Sequence, residues 1–448
     1  MTTGSGTVHV VGAGLAGLAA AVELAAAGRS VELYESGRHA GGRCRSFLDE
    51  ELGCRIDNGN HLLLGGNRAA LRYLERIGAL DTLEVPPDAV FPFFDAETGE
   101  RWTLRPNRGV LPWWIFSPQR RVPGTRAIDY LAALELRRAH PSAMVAEALD
   151  RQGRLFRRLW EPLAVAALNT RAERASARLF WRILAETLGR GAAACRPLVP
   201  REGLSETFVD PAVAYLRTRG AGVHFGARLR ALRFDADRLS QLLFETGSLG
   251  RGSGDTLILA VPAAAAVRLV PALTAPDGHS PIVNAHFRCA APAGSPRFIG
   301  VIGGAAQWVF RKREVLSVTV SAADSMVDRP AGELRELLWH DVAAAYRMPA
   351  RPIPPGRIVK ERRATFIASP EQTRRRPAPR SRWENLLLAG DYVHTGLPAT
   401  IEGAIRSGFT AARQAVVRRW GAFAGGRTSV ACVGSGTSRY EQEQQRFL

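Results

Sequence analysis

Val8-His9-Val10-Val11 is a short apolar run of the kind that forms a strand buried in a parallel sheet. Gly12-Ala13-Gly14-Leu15-Ala16-Gly17 follows at once. An Ala-rich stretch then predicts a helix over about 15–27, stopped by Gly28. Val31-Glu32-Leu33-Tyr34 predicts a second strand that ends at Glu35. Strand, tight turn, helix, strand and acid, in that order, predict a nucleotide-type α/β unit. From about 85 to 200 the pattern turns helical and rich in Trp and Arg, with breaks at Pro106, Pro112, Pro118, Pro123 and Pro141. A helix is expected over 204–216, then short strands at 223–225, 228–234 and 241–244, separated by turns and followed by the Gly-rich stretch 247–254. Residues 256–261 predict another buried strand, 281–320 a strand-rich region and 331–346 a helix. A basic loop at 374–379, a last buried strand at 386–389 and a helix to about Trp420 complete the pattern. The tail 421–448 has no apolar period and is expected to be irregular.

Composition narrows the class. At 448 residues and 46% apolar content the chain has ample material for a core, and its length suggests two or three domains. Disordered, collagen-like and coiled-coil classes are excluded by that hydrophobicity and the unperiodic Gly. The most apolar run, 8–27, carries His9 and Glu23 and is already explained by a strand and a helix, so no membrane span is expected. Residues 1–7 carry no basic residue ahead of an apolar core, so no signal peptide is expected. Cys44, Cys54, Cys195, Cys289 and Cys432 are scattered without a CxxC, which predicts a reducing cytoplasm and no disulfide or metal site. The net charge is +18, and of 60 basic residues only Lys312 and Lys360 are lysines. That excess fits nucleic acid, an anionic membrane surface, or an Arg-biased composition.

The Gly-rich turn brings the first chemistry. Gly12 suits the tight turn, Gly14 lets backbone approach a pyrophosphate, and Gly17 allows close helix–strand packing. The helix start at Leu15 and Ala16 offers N–H groups and the positive end of a dipole. Glu35, 18 residues after Gly17, is placed to accept from ribose hydroxyls and disfavours a 2′-phosphate. Glu35-Ser36-Gly37-Arg38-His39-Ala40-Gly41-Gly42-Arg43 then supplies a second close-approach loop with a cation. Asp57-Asn58-Gly59-Asn60-His61 is a turn segment. Near the end, NLLLAGD at 385–391 precedes GLPATIEGAIRSG at 396–408, where N–H groups at Ala399, Thr400 and Ile401 would favour negative charge.

These segments, in this order, resemble the amine oxidase and phytoene desaturase flavoprotein superfamily. The resemblance implies FAD and an α/β fold. A Rossmann-like FAD-binding domain of the glutathione reductase/amine oxidase type would carry an interleaved mixed α+β substrate domain. The implied FAD-binding domain spans 1–85, 200–275 and 380–420, and the substrate domain 86–199 and 276–379. Implied cofactor contacts are Gly12, Gly14, Leu15, Ala16, Gly17, Glu35, Ser36, Arg38, Gly42 and Arg43. Further along the chain they are Gly59, Asn60, His61, Leu229, Gly390, Asp391, Leu397, Pro398, Ala399, Thr400 and Ile401.

Longer segments are more specific. DNGNHLLLG at 57–65, LPWWIFSPQRRVPG at 111–124, WEPLAVAALNT at 160–170, PREGLSETFVDP at 200–211 and the stretch 390–408 resemble the hydroxysqualene dehydroxylase family of bacterial flavoenzymes. Asn60 and Tyr392 stand where that pattern has Gln and Trp. The resemblance implies that the hydroxyl of hydroxysqualene, a C30 isoprenoid alcohol, is replaced by hydrogen to give squalene. Hydride would come from reduced flavin N5, and the hydroxyl would leave as water. That step needs an acid near the oxygen or stabilisation of an allylic cation. Asp57, His61, His394 and Glu402 are the candidate acids by motif position. Asn169 and Thr170 fit either a substrate hydroxyl or helix capping, and Trp113-Trp114-Ile115-Phe116 fits either a membrane-facing gate beside Arg120 and Arg121 or core. An isoprenoid desaturase or amine oxidase of the same fold is the alternative. Two lysines, and Tyr392 as the sole aromatic in 390–408, weigh against the amine reading. No RNA or helix-turn-helix motif supports nucleic acid, an anionic membrane surface stays a candidate partner at the inner face of the cytoplasmic membrane, and the oligomeric state is not legible.

Overall fold

The strand Val8–Val11 lies at the centre of a five-stranded sheet in the computed structural model, which describes residues 6–250, 252 and 254–422. The order is Gly222–Phe225, Val31–Glu35, Val8–Val11, Thr256–Leu259, Leu386–Leu388, and every neighbouring pair is parallel. Val10, Leu33, Ile258 and Leu387 are fully buried, as a parallel sheet covered on both faces requires. The first helix, Leu15–Ala26, crosses the last helix, Ile401–Ala422, so closely that a Cβ on Gly408 would sit 2.2 Å from the Ala16 carbonyl oxygen. Only glycine permits that crossing.

A second sheet has seven strands. Its order is Gly356–Phe366, His279–Arg288, Val315–Val320, Trp308–Lys312, Phe298–Ile302, Phe91–Asp95, Arg101–Leu104. Strand alternation splits it into two faces. Phe94, Val283, Ala285, Phe287, Ile299, Val309, Leu316 and Val318 form one core with the helix Ala331–Tyr346. Phe93, Phe298, Trp308 and Phe310 point the other way, into a cluster with Trp114, Tyr130, Trp160 and Phe180. The same period puts Asn284, His286, Lys312, Ser317 and Thr319 on that second face, so it is aromatic at one end and polar at the other.

The polar end is where the seven-stranded sheet meets the small antiparallel sheet Ser46–Asp49/Cys54–Asp57. Lys312 Nζ donates to Asp57 Oδ2 at the end of the strand Cys54–Asp57, and both side chains are buried. Asp57 Oδ1 also accepts from Ser46 Oγ at 2.6 Å and from the Leu204 amide at 2.9 Å. Three stretches far apart in sequence, the hairpin 46–57, Leu204 and Lys312, therefore meet at one carboxylate.

Three local expectations differ from the structure. Gly247–Gly250 is a strand, hairpinned to Arg238–Phe244 in a small antiparallel sheet that needs backbone pairing and little side-chain packing. The helix expected over 204–216 starts as a wide π turn at Ser205–Val209 before Asp210–Thr218, because Pro211 has no N–H to continue a regular ladder. The Trp-rich region contains the strands Phe91–Asp95 and Arg101–Leu104, whose aromatic runs hide the two-residue period. The tail read as irregular lies, from residue 423 on, outside the described residues. No helix among the described residues is long and apolar enough to cross a membrane.

Removing one member of the Asp57–Lys312 pair leaves the other charge buried. Lys312→Met should therefore lower the unfolding free energy by about 3–5 kcal/mol. Asp57→Asn combined with Lys312→Met should recover most of that loss. Urea unfolding measures both, and an unchanged midpoint for Lys312→Met would contradict the role given to the pair.

Candidate active site

The glycines of the first turn answer separate steric demands. Gly12 has φ +103°, and a Cβ there would lie 2.5 Å from the Ala260 carbonyl oxygen. Gly14 is the N-cap of the first helix, and a Cβ on it would meet nothing within 4 Å. No side chain caps this helix and no acid lies in its first turn. The amide ends at Leu15 and Ala16 therefore border open space, which an anion fits. The second loop comes to the same place: the Gly41 amide donates to the Ala13 carbonyl at 2.8 Å, and Gly14 bridges Gly41. Gly42, at φ +59°, would bring a Cβ 3.4 Å from Gly14 Cα. Glu35 is held at the mouth by the amides of Ala13 and Gly37, each at 2.8 Å, with Ser36 Oγ at 3.1 Å. Arg38 is exposed, and Leu229 heads the strand Leu229–Asp235.

The third signature is tied to the second. Arg43 pairs with Asp391 at 2.8 Å and donates to the Ala364 carbonyl at 2.5 Å. The Gly390 amide donates to Ser407 Oγ at 2.8 Å. Leu397 and Pro398 are buried, while Ala399 and Thr400 are half-buried just ahead of Ile401 in the last helix.

Arg376 organises this loop, and the motif reading passed over it. It is buried and donates to the carbonyls of Asp391 at 3.1 Å, Tyr392 at 3.3 Å and Val393 at 2.6 Å, to that of Leu397, and to Thr395 Oγ1 at 3.3 Å. Burial, opposed by Asp391, lowers its pKa to about 10, so it stays charged. One Arg of the run Arg374-Arg375-Arg376 in a Pro-rich stretch gives no local signal of such a role.

The DNGNH turn docks on the polar end of the seven-stranded sheet. Asn284 Nδ2 donates to the Asn58 carbonyl at 3.1 Å, Thr319 Oγ1 to Asn284 Oδ1 at 2.8 Å, and Asn60 Nδ2 to Thr319 Oγ1 at 3.1 Å. Gly59 faces Asn284 too closely for a side chain: a Cβ would lie 3.3 Å from its Nδ2. Asn60 Oδ1 and Tyr392 Oη, at the two positions that depart from the family pattern, are buried without a protein partner among the described residues. Buried polar atoms need partners. These two orphans, the open space over Gly14 and the uncapped helix start fit a large polar cofactor along this line. Asn60, His61, Tyr392 and the 397–401 segment would hold its ring end, and Glu35, Arg43 and the glycines its nucleotide end.

The four candidate acids have different surroundings. Burial opposes the ionisation of Asp57, but Lys312, Ser46 and the Leu204 amide hold its carboxyl below the usual range. Glu402 accepts from the amides of Ala69 at 3.1 Å and Ala70 at 2.9 Å and pairs with Arg406 at 2.9 Å, so it caps the helix Arg68–Arg76. His61 keeps part of its surface accessible, and burial of the rest lowers its pKa to about 4. His394 is exposed. Asn169 and Thr170 serve structure. Asn169 Nδ2 donates to the Ser280 carbonyl at 3.0 Å and Thr365 Oγ1 at 2.9 Å, and its Oδ1 accepts from the Ala322 amide at 2.6 Å. Thr170 Oγ1 donates to the Leu168 carbonyl at 3.1 Å. Among the described residues no group of His, Cys, Asp and Glu could hold a metal ion.

Two outcomes follow. Arg376→Ala should cut bound flavin per chain several-fold, and Arg376→Lys should restore little, because one ammonium cannot reach five acceptors. The ratio of flavin to protein absorbance reads this, and full occupancy in both variants would contradict it. His286 is fully buried, and burial lowers its pKa to about 4. The unfolded chain binds a proton near pH 6.5 while the folded chain does not. Stability therefore falls between about pH 6.5 and 4, by at most ~1.4 kcal/mol per pH unit per such group. His286→Asn should flatten that slope in thermal unfolding, and an unchanged slope would count against it.

The comparisons fit this geometry. The sequence profile of the Flavin containing amine oxidoreductase family matches residues 15–444. The chain is 46% identical over 409 residues to hydroxysqualene dehydroxylase of Rhodopseudomonas palustris, covering 91% of this chain and 98% of that protein. It is 46% identical over 405 residues to the protein of the same name from Sinorhizobium fredii, covering 90% and 97%. A probable zeta-carotene desaturase of Synechococcus elongatus is 28% identical over 252 residues, about half of each chain (51% and 51%). Among solved structures, a putrescine oxidase superposes with TM-score 0.67 at 16% identity, covering 92% of this chain and 99% of that one. Cyclohexylamine oxidase from Brevibacterium oxydans gives 0.65 at 16% identity, covering 93% and 100%. These structures share the fold. The chain belongs to the flavin-containing amine oxidoreductase family and, within it, to the hydroxysqualene dehydroxylases.

Proposed function

We propose that the protein uses FAD to remove the hydroxyl of hydroxysqualene reductively, giving squalene and water. The observation that carries this reading is the 46% identity to hydroxysqualene dehydroxylase along 98% of that protein. The site agrees with it. The aromatic cluster of Trp114, Tyr130, Trp160, Phe180, Trp308 and Phe310 also contains Tyr392 and Val393, next to the Gly390-Asp391 turn. A C30 hydrocarbon needs such a wall, at about 0.8 kcal/mol per buried CH₂. Bound and reduced, the cofactor supplies hydride.

The chain's own part is to hold the hydrocarbon, exclude water and help the hydroxyl depart. Asp57 and Glu402 have their oxygens occupied, so we assign the contact with the leaving oxygen to His61 as a neutral hydrogen-bond donor. The FAD-binding unit is assigned to 1–85, 200–275 and 380–420, and the substrate unit to 86–199 and 276–379. All five strands of the parallel sheet fall in the first set and all seven of the mixed sheet in the second, which supports the division. The protein works at the cytoplasmic membrane face, where its substrate and product partition.

The test is direct. The flavin-loaded protein, given a reductant and hydroxysqualene, should form squalene detectable by mass spectrometry. His61→Ala should lower turnover counted per bound flavin by roughly ten-fold or more. Absence of squalene, together with desaturation of a polyene under oxidising conditions, would replace this reading with a desaturase.

A further inference from the structure

The segment 110–134 divides its apolar residues in two. Trp114 and Ile115 are each 5% exposed and belong to the aromatic cluster, whereas Trp113 is 64% and Phe116 62% exposed. The exposed rings lie 6.0 Å apart. The next element, Ala127–Leu134, is a 3₁₀ helix, so residues three apart align along one edge. Ile128, Leu131 and Leu134 form that edge, at 59%, 50% and 46% exposed, while Tyr130 on another edge is buried against Trp114 with ring centroids 5.1 Å apart. With Val110 and Leu111, also exposed, seven of the thirteen large exposed apolar side chains among the described residues fall within these twenty-five positions. A soluble surface rarely gathers such a patch without a partner.

The charge around it names the partner. Residues 105–138 contain seven arginines, at 105, 108, 120, 121, 126, 137 and 138, and two acids, Asp129 and Glu135. Exposed Trp and Phe in an Arg-rich stretch suit the headgroup boundary of an anionic bilayer. We propose that 110–134 is a docking surface for an anionic lipid bilayer, through which an apolar substrate passes from the membrane to the cluster behind Trp114. The docking stands on exposure and charge alone, and the passage of substrate rests on the isoprenoid reading above.

The experiment is flotation of the flavin-loaded protein with vesicles of phosphatidylcholine and phosphatidylglycerol, and with phosphatidylcholine alone. The wild type should float with the mixed vesicles, and less as salt rises. Trp113→Ser/Phe116→Ser should lose roughly ten-fold or more of that partitioning while keeping its flavin spectrum and thermal midpoint. Ile128→Ser/Leu131→Ser, on the other element, provides a second variant should the first misfold. In detergent micelles both variants should turn over substrate like the wild type, and with substrate in vesicles they should not. Wild type that stays in solution with both vesicles, variants that float equally well, or a wild-type dimer that the substitutions split would each overturn the proposal. Wild type that floats but makes no squalene in detergent would overturn the substrate reading and leave the docking surface standing.

Discussion

The buried ion pair between Asp57 and Lys312 ties the two-stranded sheet Ser46–Asp49/Cys54–Asp57 to the seven-stranded sheet. A single carboxylate receives the lysine, the Ser46 hydroxyl and the Leu204 amide, and so gathers residues up to 255 positions away from it. Such a pair is poor at adding net stability and good at enforcing one arrangement, since any slip strands a charge in the core. With that contact made, the DNGNH turn meets Asn284 and Thr319.

The seven-stranded sheet carries the next consequence. Its face away from the helix Ala331–Tyr346 is polar where it holds the turn and aromatic where it borders the apolar cluster. One surface thus combines a hydrogen-bonded polar end with a buried aromatic end. The +18 charge resolves along similar lines. Arg43 and Arg376 organise the loops around Asp391, Arg158 bridges Asp95 and Glu100, and seven arginines share the stretch 105–138 with exposed apolar side chains. Nothing in this distribution requires nucleic acid.

How much was legible in the sequence depended on range. The glycine turn, Glu35 and the Gly-Gly-Arg loop were readable because their demands are local: a positive φ, a close approach, an uncapped helix start. The family resemblance followed from the same short segments. Lys312 was missed because its partner Asp57 lies 255 residues away, and Arg376 because its acceptors are carbonyls and a hydroxyl of a loop 15 to 21 residues on, which no helix or strand period marks. Lys312 did leave a trace, since Trp308, Phe310 and Lys312 alternate onto one face and a lysine at a buried strand position asks for an acid. Trp113 and Trp114 could not be separated by composition. The 3₁₀ geometry of their surroundings puts one outside and one inside, and period three, not 3.6, reveals the stripe at 128, 131 and 134.

The measurement that bears most directly on the dehydroxylation is a single turnover in D₂O. Flavin-loaded protein, reduced anaerobically in D₂O and mixed with hydroxysqualene, should give squalene with one deuterium on the carbon that lost the hydroxyl, in step with flavin reoxidation. Unlabelled squalene, or flavin that stays reduced in the presence of the alcohol, would contradict it.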